Sequence, residues 1–204
     1  MNIVRKSLLA VAASLLLAIT ALAQNNPPAN ENTRSTANGG VLTADRHFMD
    51  KAAQGGMAEV ELGQLAEQNA QSAEVKAFGK RMVEDHSKAN DELKQLASQR
   101  GVALPTGLDA KDKMTKERLS KLHGAAFDKA YMRDMVTDHK KDVAEFRHES
   151  TAAHDPTLKD WAGKTLPTLE SHLQEAERVA PTVGAQTSAR QGSKGMNKTT
   201  AQQY

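Results

Sequence analysis

The sequence contains no cysteine among its 204 residues. This absence excludes disulfides, thiolate metal sites, cysteine nucleophiles and a lipid anchor on cysteine. Aromatic residues are also scarce, at 3% of the chain, which argues against the wide core of a β-sandwich. Alanine, leucine, lysine, glutamate and glutamine dominate instead, and these residues favour helices. We therefore expect an all-α protein.

An excess of charge of either sign is missing as well. The chain has 27 basic and 25 acidic residues, and two of the basic ones lie within the first 23 positions. Nucleic-acid-binding domains typically carry a basic patch, so no nucleic-acid partner is expected. Motifs typical of a serine hydrolase, a phosphate-binding loop or a dinucleotide fold are also absent from the sequence.

Residues 1–23 have the pattern of a secretory signal peptide. Arg5 and Lys6 form a positive start, residues 8–19 form an apolar run, and Ala21-Leu22-Ala23 is a typical cleavage site before Gln24. The apolar run is short for a membrane span. The sequence thus predicts a periplasmic or secreted protein without a transmembrane span after cleavage; an uncleaved N-terminal anchor is the alternative.

The rest of the chain divides into a folded part at 43–180 and two polar segments. The segments 24–42 and 181–204 contain few apolar residues, which predicts a disordered linker and a disordered tail. Thr43, Ser72 and Asp109 are candidate N-caps, and Pro167 should kink the last helix. Apolar periodicity predicts long helices at about 44–69, 73–99, 125–151 and 155–179, with a short helix at 110–122 that Gly124 would end.

Short turns near 70–72 and 152–155 make the long helices two antiparallel hairpins. The sequence therefore predicts an up-down four-helix bundle with a short extra helix in the crossover. A weak internal repeat agrees with a duplicated hairpin. Residues 75–78 (VKAF) resemble 158–161 (LKDW), and 84–86 (EDH) resemble 170–172 (ESH).

Each long helix carries one polar residue on its apolar stripe. Two of them end the repeated segments MVEDH at 82–86 and MVTDH at 135–139, which lie 53 positions apart. The four residues are Glu59, His86, His139 and His172. Counted from the hairpin turns at 1.5 Å per residue, they lie within roughly 5 Å of one another along the helix axes. One carboxylate and three imidazoles suit Zn, Fe, Mn or Cu.

The adjacent acidic residues could orient the imidazoles by accepting their ring N–H groups. The candidates are Glu84, Asp85, Asp138 and Glu170. Two alternatives stay open: a hydrogen-bonded polar layer without metal, or a helix register that scatters the four side chains. Glu145 and His148 have the ExxH spacing of di-iron bundles, but Phe146 between them takes the core position, so both should point outward.

These segments resemble a known family, the ferritin-like domain of unknown function 4142. The resemblance covers about 44–180 and is carried by residues 48–63, 75–86, 127–139 and 166–172. It implies a ferritin-like four-helix bundle in exported bacterial proteins that are often labelled membrane or outer-membrane proteins, and it implies no proven activity. Ferritin-like oxidases carry two ExxH pairs, whereas this chain has Glu-x-His at 84–86 and 170–172, which argues against di-iron chemistry.

Three functions remain open from the sequence. The first is an exported module that binds a transition metal through Glu59, His86, His139 and His172. The second is a structural or stress-related envelope protein with a metal-free polar layer. The third is an oxidase-type enzyme, which the residues favour least. Association with the outer membrane and a homodimer are compatible with all three.

Overall fold

A computed structural model gives the structure of residues 41–185. The predicted signal peptide, nearly all of the predicted linker and residues 186–204 of the predicted tail lie outside the described residues. Within 41–185 the regular structure is entirely helical, as predicted. Five α-helices follow one another: α1 Thr43–Asn69, α2 Ala73–Gln99, α3 Ala110–Ser120, α4 Gly124–Ala152 and α5 Pro156–Val179.

The helices form two hairpins that pack into a four-helix bundle. α1 packs along α2, and α4 packs along α5. α2 also contacts α5, and α1 contacts α4, so the bundle closes. The short helix α3 lies in the crossover, where it packs on α1 and α4. The predicted ferritin-like bundle of two hairpins with an extra crossover helix is confirmed.

Local capping explains where most helices begin. The Ser72 hydroxyl accepts the backbone N–H of Val75 at 3.4 Å, and the Asp109 carboxylate accepts that of Asp112 at 2.9 Å. Both predicted caps are therefore confirmed. The third predicted cap, Thr43, is wrong. The carbonyl of Leu42 accepts the N–H of Arg46 at 2.9 Å, so Leu42 is the N-cap and α1 begins one residue earlier than predicted.

The prediction for Gly124 is wrong. Gly124 does not end the short helix, which stops at Ser120; with φ of 61° it is the first residue of α4. Pro167 lies inside α5, and the kink there stays a prediction. The chain then continues as a 3-10 helix over Ala180–Val183 and buries Ala185, so folded structure extends five residues beyond the predicted limit.

The bundle buries two apolar clusters with a polar layer between them. One cluster, which contains Phe78, Met82, Tyr131 and Met135, fills the end beside the α1–α2 turn. The other fills the opposite end and contains Phe48, Met49, Leu93, Phe146, Leu158 and Trp161. Along α4, for example, His139 separates Met135 of the first cluster from Val143 of the second. The predicted polar residues therefore lie at mid-height in the bundle.

Helices α1 and α2 approach closely at two glycines. A Cβ on Gly63 would lie 2.5 Å from the carbonyl oxygen of Gly79, and a Cβ on Gly79 would lie 2.6 Å from the Cβ of Ala66. Only glycine permits this separation. No helix within 41–185 combines the length and apolar character needed to cross a membrane.

Candidate metal centre

Three buried histidines from three helices meet in the polar layer. His86 comes from α2, His139 from α4 and His172 from α5, and their exposed fractions are 7%, 0% and 0%. One ring nitrogen from each lies within 4.8 Å of the other two. The ring centroids are 5.3–5.8 Å apart. Three of the four residues predicted to form the centre are thus brought together.

Backbone geometry fixes the orientation of His139. Its Nδ1 lies 3.0 Å from the carbonyl oxygen of Met135, one turn earlier in α4. A carbonyl can only accept, so Nδ1 carries the proton and Nε2 keeps a lone pair. That Nε2 is buried and has no hydrogen-bond partner within 41–185.

A carboxylate fixes His172 in the opposite tautomer. Its Nε2 donates to Asp85 Oδ2 at 2.8 Å, which leaves the buried Nδ1 with a lone pair and no partner in the described part of the chain. Asp85 is in turn held by Arg81, whose Nε donates to it at 3.3 Å. Arg81 also pairs with Glu175 at 2.6 Å, so an ordered polar chain on α2 and α5 supports the ring. In metal sites, a carboxylate that accepts the N–H of an imidazole in this way orients the ring's other nitrogen.

His86 completes the set with a buried Nε2 that also lacks a partner among the described residues. Burial, followed by the neighbouring rings of His139 and His172, lowers the pKa of His86 well below its usual value. Burial, then the His172 ring, lowers the pKa of His139 to about 3. Burial lowers the pKa of His172 as well. All three imidazoles are therefore neutral at pH 7, the form in which histidine binds metals.

The spacing of the three nitrogens is slightly open for one ion. Bonds of 2.0–2.1 Å in a tetrahedral site place two donors about 3.4 Å apart, compared with the 4.8 Å within which the three nitrogens lie. Binding of one ion by all three nitrogens would therefore require the rings to move closer together.

Glu59 lies beside the centre but outside the group of three. Its Oε1 is 3.9 Å from Nδ1 of His139, the nitrogen that faces Met135. Its Oε2 is buried and has no partner within 41–185. Burial, then the charges of Asp142 and Asp138, raises the pKa of Glu59 well above the usual value. Helix spacing predicted its level in the bundle correctly, but not the side of His139 that it contacts.

Of the four acidic residues expected to orient the rings, Asp85 alone bonds a histidine of the centre. The other three bind cations at the surface: Asp138 pairs with Lys111 at 3.3 Å, Glu84 with Lys80 at 3.6 Å and Glu170 with Arg147 at 2.6 Å. The Met135 carbonyl was missed because any backbone carbonyl looks alike in sequence. His148, with its side chain 72% exposed, lies away from the centre.

Two cavities reach the centre. One, of about 290 Å³, opens between α2 and α5 and is lined by His86 and His172 together with Asp85, Lys88, Glu92 and Lys164. The other, of about 150 Å³, reaches His86 and Glu59 from the side of α3. The rings of His86 and His172 therefore border space that a small ligand or hydrated ion could enter.

The fold and site define an all-α protein of the four-helix-bundle class with a buried three-histidine centre. Residues 30–179 match the family described as a domain of unknown function (DUF4142). The chain belongs to this family, as its sequence resemblance predicted. No curated protein matches the sequence.

Two solved structures are similar to the bundle. The crystal structure of a DUF305 fragment from Deinococcus radiodurans has a TM-score of 0.62 and 13% sequence identity, over 70% of this chain and 99% of that one. A structure described as CopM in the Cu(II)-bound form has a TM-score of 0.58 and 16% identity, over 68% of this chain and 96% of that one. At these identities the likeness shows a shared fold.

Proposed function

We propose that this protein is a metal-binding module that holds a transition-metal ion through His86, His139 and His172. The observation that supports it is that each of the three rings has a buried nitrogen without a hydrogen-bond partner within 41–185, and that one nitrogen from each lies within 4.8 Å of the other two. Two of the rings are fixed from behind by Met135 and Asp85. A buried nitrogen without a hydrogen-bond partner is costly, and a metal ion would satisfy all three at once.

Copper is the first metal to test. The chain offers no thiolate, and imidazole donors suit Cu, Zn, Fe and Ni, with Cu(II) at the top of the usual affinity order for divalent ions. The similar fold of CopM is described with Cu(II) bound. Zn, Fe and Mn, which the sequence also allows, are the comparison metals. In this proposal Glu59 lies beside His139 and does not bond to the ion.

The proposal includes export, since residues 1–23 have the signal-peptide pattern. The protein would then act in the periplasm or outside the cell, where association with the outer membrane or a homodimer is compatible with the bundle. Nucleic acid is not a partner in this proposal. Cell fractionation with N-terminal sequencing tests export, and a mature N-terminus at Gln24 is expected.

The competing function is a structural or stress-related envelope protein with a metal-free polar layer. The hydrogen bonds of His139 to Met135 and of His172 to Asp85 favour it, because each satisfies one ring nitrogen without any ion. Water molecules would then form hydrogen bonds with the remaining three ring nitrogens.

Metal analysis of protein purified without a histidine tag separates the two functions. We expect one equivalent of Cu(II) that resists dialysis, and its loss in the His86→Ala/His139→Ala variant. The matched control is His148→Ala, which removes an exposed imidazole and should leave binding unchanged. A protein whose melting temperature does not respond to Cu, Zn, Fe or Mn is the polar-layer protein. Oxygen or peroxide consumption by the iron-loaded form would be needed for an oxidase.

A further inference from the structure

The cavity on the α3 side of the bundle has an unusually acidic lining. It has a volume of about 150 Å³, and α1, α3 and α4 supply its charged groups. Helix α3 is held over it by ion pairs to both neighbours, from Lys116 to Glu61 at 2.7 Å and from Lys111 to Asp138 at 3.3 Å. The crossover helix thus closes a charged chamber against the bundle.

The charges in this chamber do not balance. Its lining includes six carboxylates and three ammonium groups. Each lysine is paired with one acid: Lys51 with Asp109, Lys111 with Asp138 and Lys141 with Glu145. The remaining carboxylates are those of Glu59, Asp112 and Asp142, and none has a lysine or arginine partner within 41–185. Burial and the neighbouring acidic groups raise the pKa of Glu59, and they raise that of Asp142 to about 7, so these are the carboxyl groups that a cation would neutralise.

The burial of Glu59 is a second observation, independent of this charge count, that indicates a ligand. The Glu59 side chain is 5% exposed and lines the cavity, and its buried Oε2 has no hydrogen-bond partner within 41–185. A buried carboxylate oxygen normally has a donor or a cation. The cavity, at about 150 Å³, is large enough for several waters beside this residue.

Asp142 faces the same chamber from the equivalent helix of the other hairpin. Glu59 and Asp142 lie 83 positions apart, the same interval that separates Phe78 from Trp161 in the repeated segments. They therefore hold matching positions on α1 and α4. Both residues line the cavity.

We propose that this chamber is a second cation site, beside the imidazole centre, in which Glu59 and Asp142 bind a hydrated divalent ion of the oxygen-preferring class. Mg²⁺ and Mn²⁺ suit it, because such ions are commonly bound by one or two carboxylates and keep several waters. Asp112 on α3 lies at the rim and adds to the attraction. The proposed ligands are carboxylates rather than imidazoles, although His86 also lines the cavity, so the test includes the histidine variant.

Mn²⁺ titration of the full chain, followed by the loss of the free-ion EPR signal, tests the site. One bound Mn²⁺ is expected, and Mg²⁺ should displace it, because Mg²⁺ competes for carboxylates and not for imidazoles. Glu59→Gln and Asp142→Asn should each weaken binding by about tenfold or more. Circular dichroism establishes that each variant is folded, and these near-isosteric changes keep the packing.

The matched control is Glu145→Gln, a carboxylate of the same chamber that Lys141 already neutralises. Its effect should stay below about threefold. The proposal is overturned if Mn²⁺ does not bind, if Mg²⁺ fails to displace it, or if Glu145→Gln weakens binding as much as Glu59→Gln. Loss of Mn²⁺ binding in His86→Ala/His139→Ala, with binding kept in Glu59→Gln, would assign the ion to the imidazole centre instead.

Discussion

Asp45 and Asp128 are equivalent residues that each cap the turn of the opposite hairpin. They lie 83 positions apart, near the starts of α1 and α4, and are 1% and 3% exposed. Each carboxylate uses both oxygens to accept two backbone N–H groups. Asp45 accepts from His154 at 3.1 Å and Asp155 at 2.7 Å, and Asp128 accepts from Gln71 at 3.0 Å and Ser72 at 2.9 Å. The two hairpins are thereby locked to each other at both ends.

Asp128→Asn should destabilise the fold by about 1–3 kcal/mol. The amide keeps the shape but turns an NH₂ group towards a backbone N–H, which leaves a half-buried donor unpaired. Urea denaturation measures the change in the free energy of unfolding. Asp91→Asn, an exposed position on α2, is the control and should stay within about 0.5 kcal/mol. Equal stability of the two variants would mean that the carboxylate cap does not hold the hairpins together.

The helices were predictable from the sequence because their signals are local. Apolar periodicity and the Ser72 and Asp109 caps act within a few residues. The caps from Asp45 and Asp128 were not predictable, since each acts across 56 to 110 positions of the chain. Asp45 also resembles an ordinary acidic residue in a first turn, so nothing in its neighbourhood marks it.

The candidate centre was predictable in level but not in detail. A constant rise per residue places His86, His139 and His172 in one layer, and the structure brings their ring nitrogens together. The rotation of each helix about its axis is less well determined by an apolar stripe, which is about 100° wide. That uncertainty is enough to move Glu59 from the centre to the far side of His139.

The contact between α1 and α2 at Gly79 predicts a large effect of a single methyl group. Gly79→Ala would place its Cβ 2.6 Å from that of Ala66, so the helices must separate, at a cost of about 1–3 kcal/mol. Gly55→Ala is the matched control, because a Cβ there meets nothing within 4 Å and alanine favours a helix by about 1 kcal/mol. Thermal denaturation should show opposite shifts; a stabilised Gly79→Ala would refute the close contact.

The pair Arg100–Asp155 predicts a pH-dependent part of the stability. Asp155 caps α5, and the hydrogen bond from Arg100 lowers the pKa of its carboxyl below the ordinary 3.8. A carboxyl whose pKa falls on folding adds stability above its unfolded-state pKa, and this is lost as the pH falls through the folded-state value. Asp155→Asn keeps a capping side chain but removes the charge.

We therefore expect Asp155→Asn to cost about 1–2 kcal/mol at pH 7 and progressively less as the pH falls below 3.8. Urea denaturation of both proteins across this range measures the difference. Glu84→Gln, which breaks an exposed pair with Lys80, should have little effect at either pH. A cost for Asp155→Asn that is the same at pH 7 and pH 3 would show that the charge contributes nothing.

His139→Leu separates the stability of the centre from its affinity for metal. In metal-free protein the change replaces a fully buried imidazole, whose Nε2 lacks a partner within 41–185, with an apolar side chain of similar size. The fold should tolerate this or become more stable, because an unsatisfied polar atom is removed from the interior. Thermal denaturation in the presence of a chelator measures this half of the prediction.

With Cu(II) added, the wild-type protein should become more stable than His139→Leu. A ligand at 100 times its dissociation constant stabilises the wild-type fold by about 2.7 kcal/mol, whereas His139→Leu keeps only two of the three donors and should lose affinity by orders of magnitude. Its melting temperature should hardly respond to the metal. The opposite result is a strongly destabilised metal-free variant, with neither protein stabilised by Cu(II). His139 would then be a structural residue of a polar layer, because its hydrogen bond to Met135 would contribute more stability than removal of the unpaired Nε2 restores.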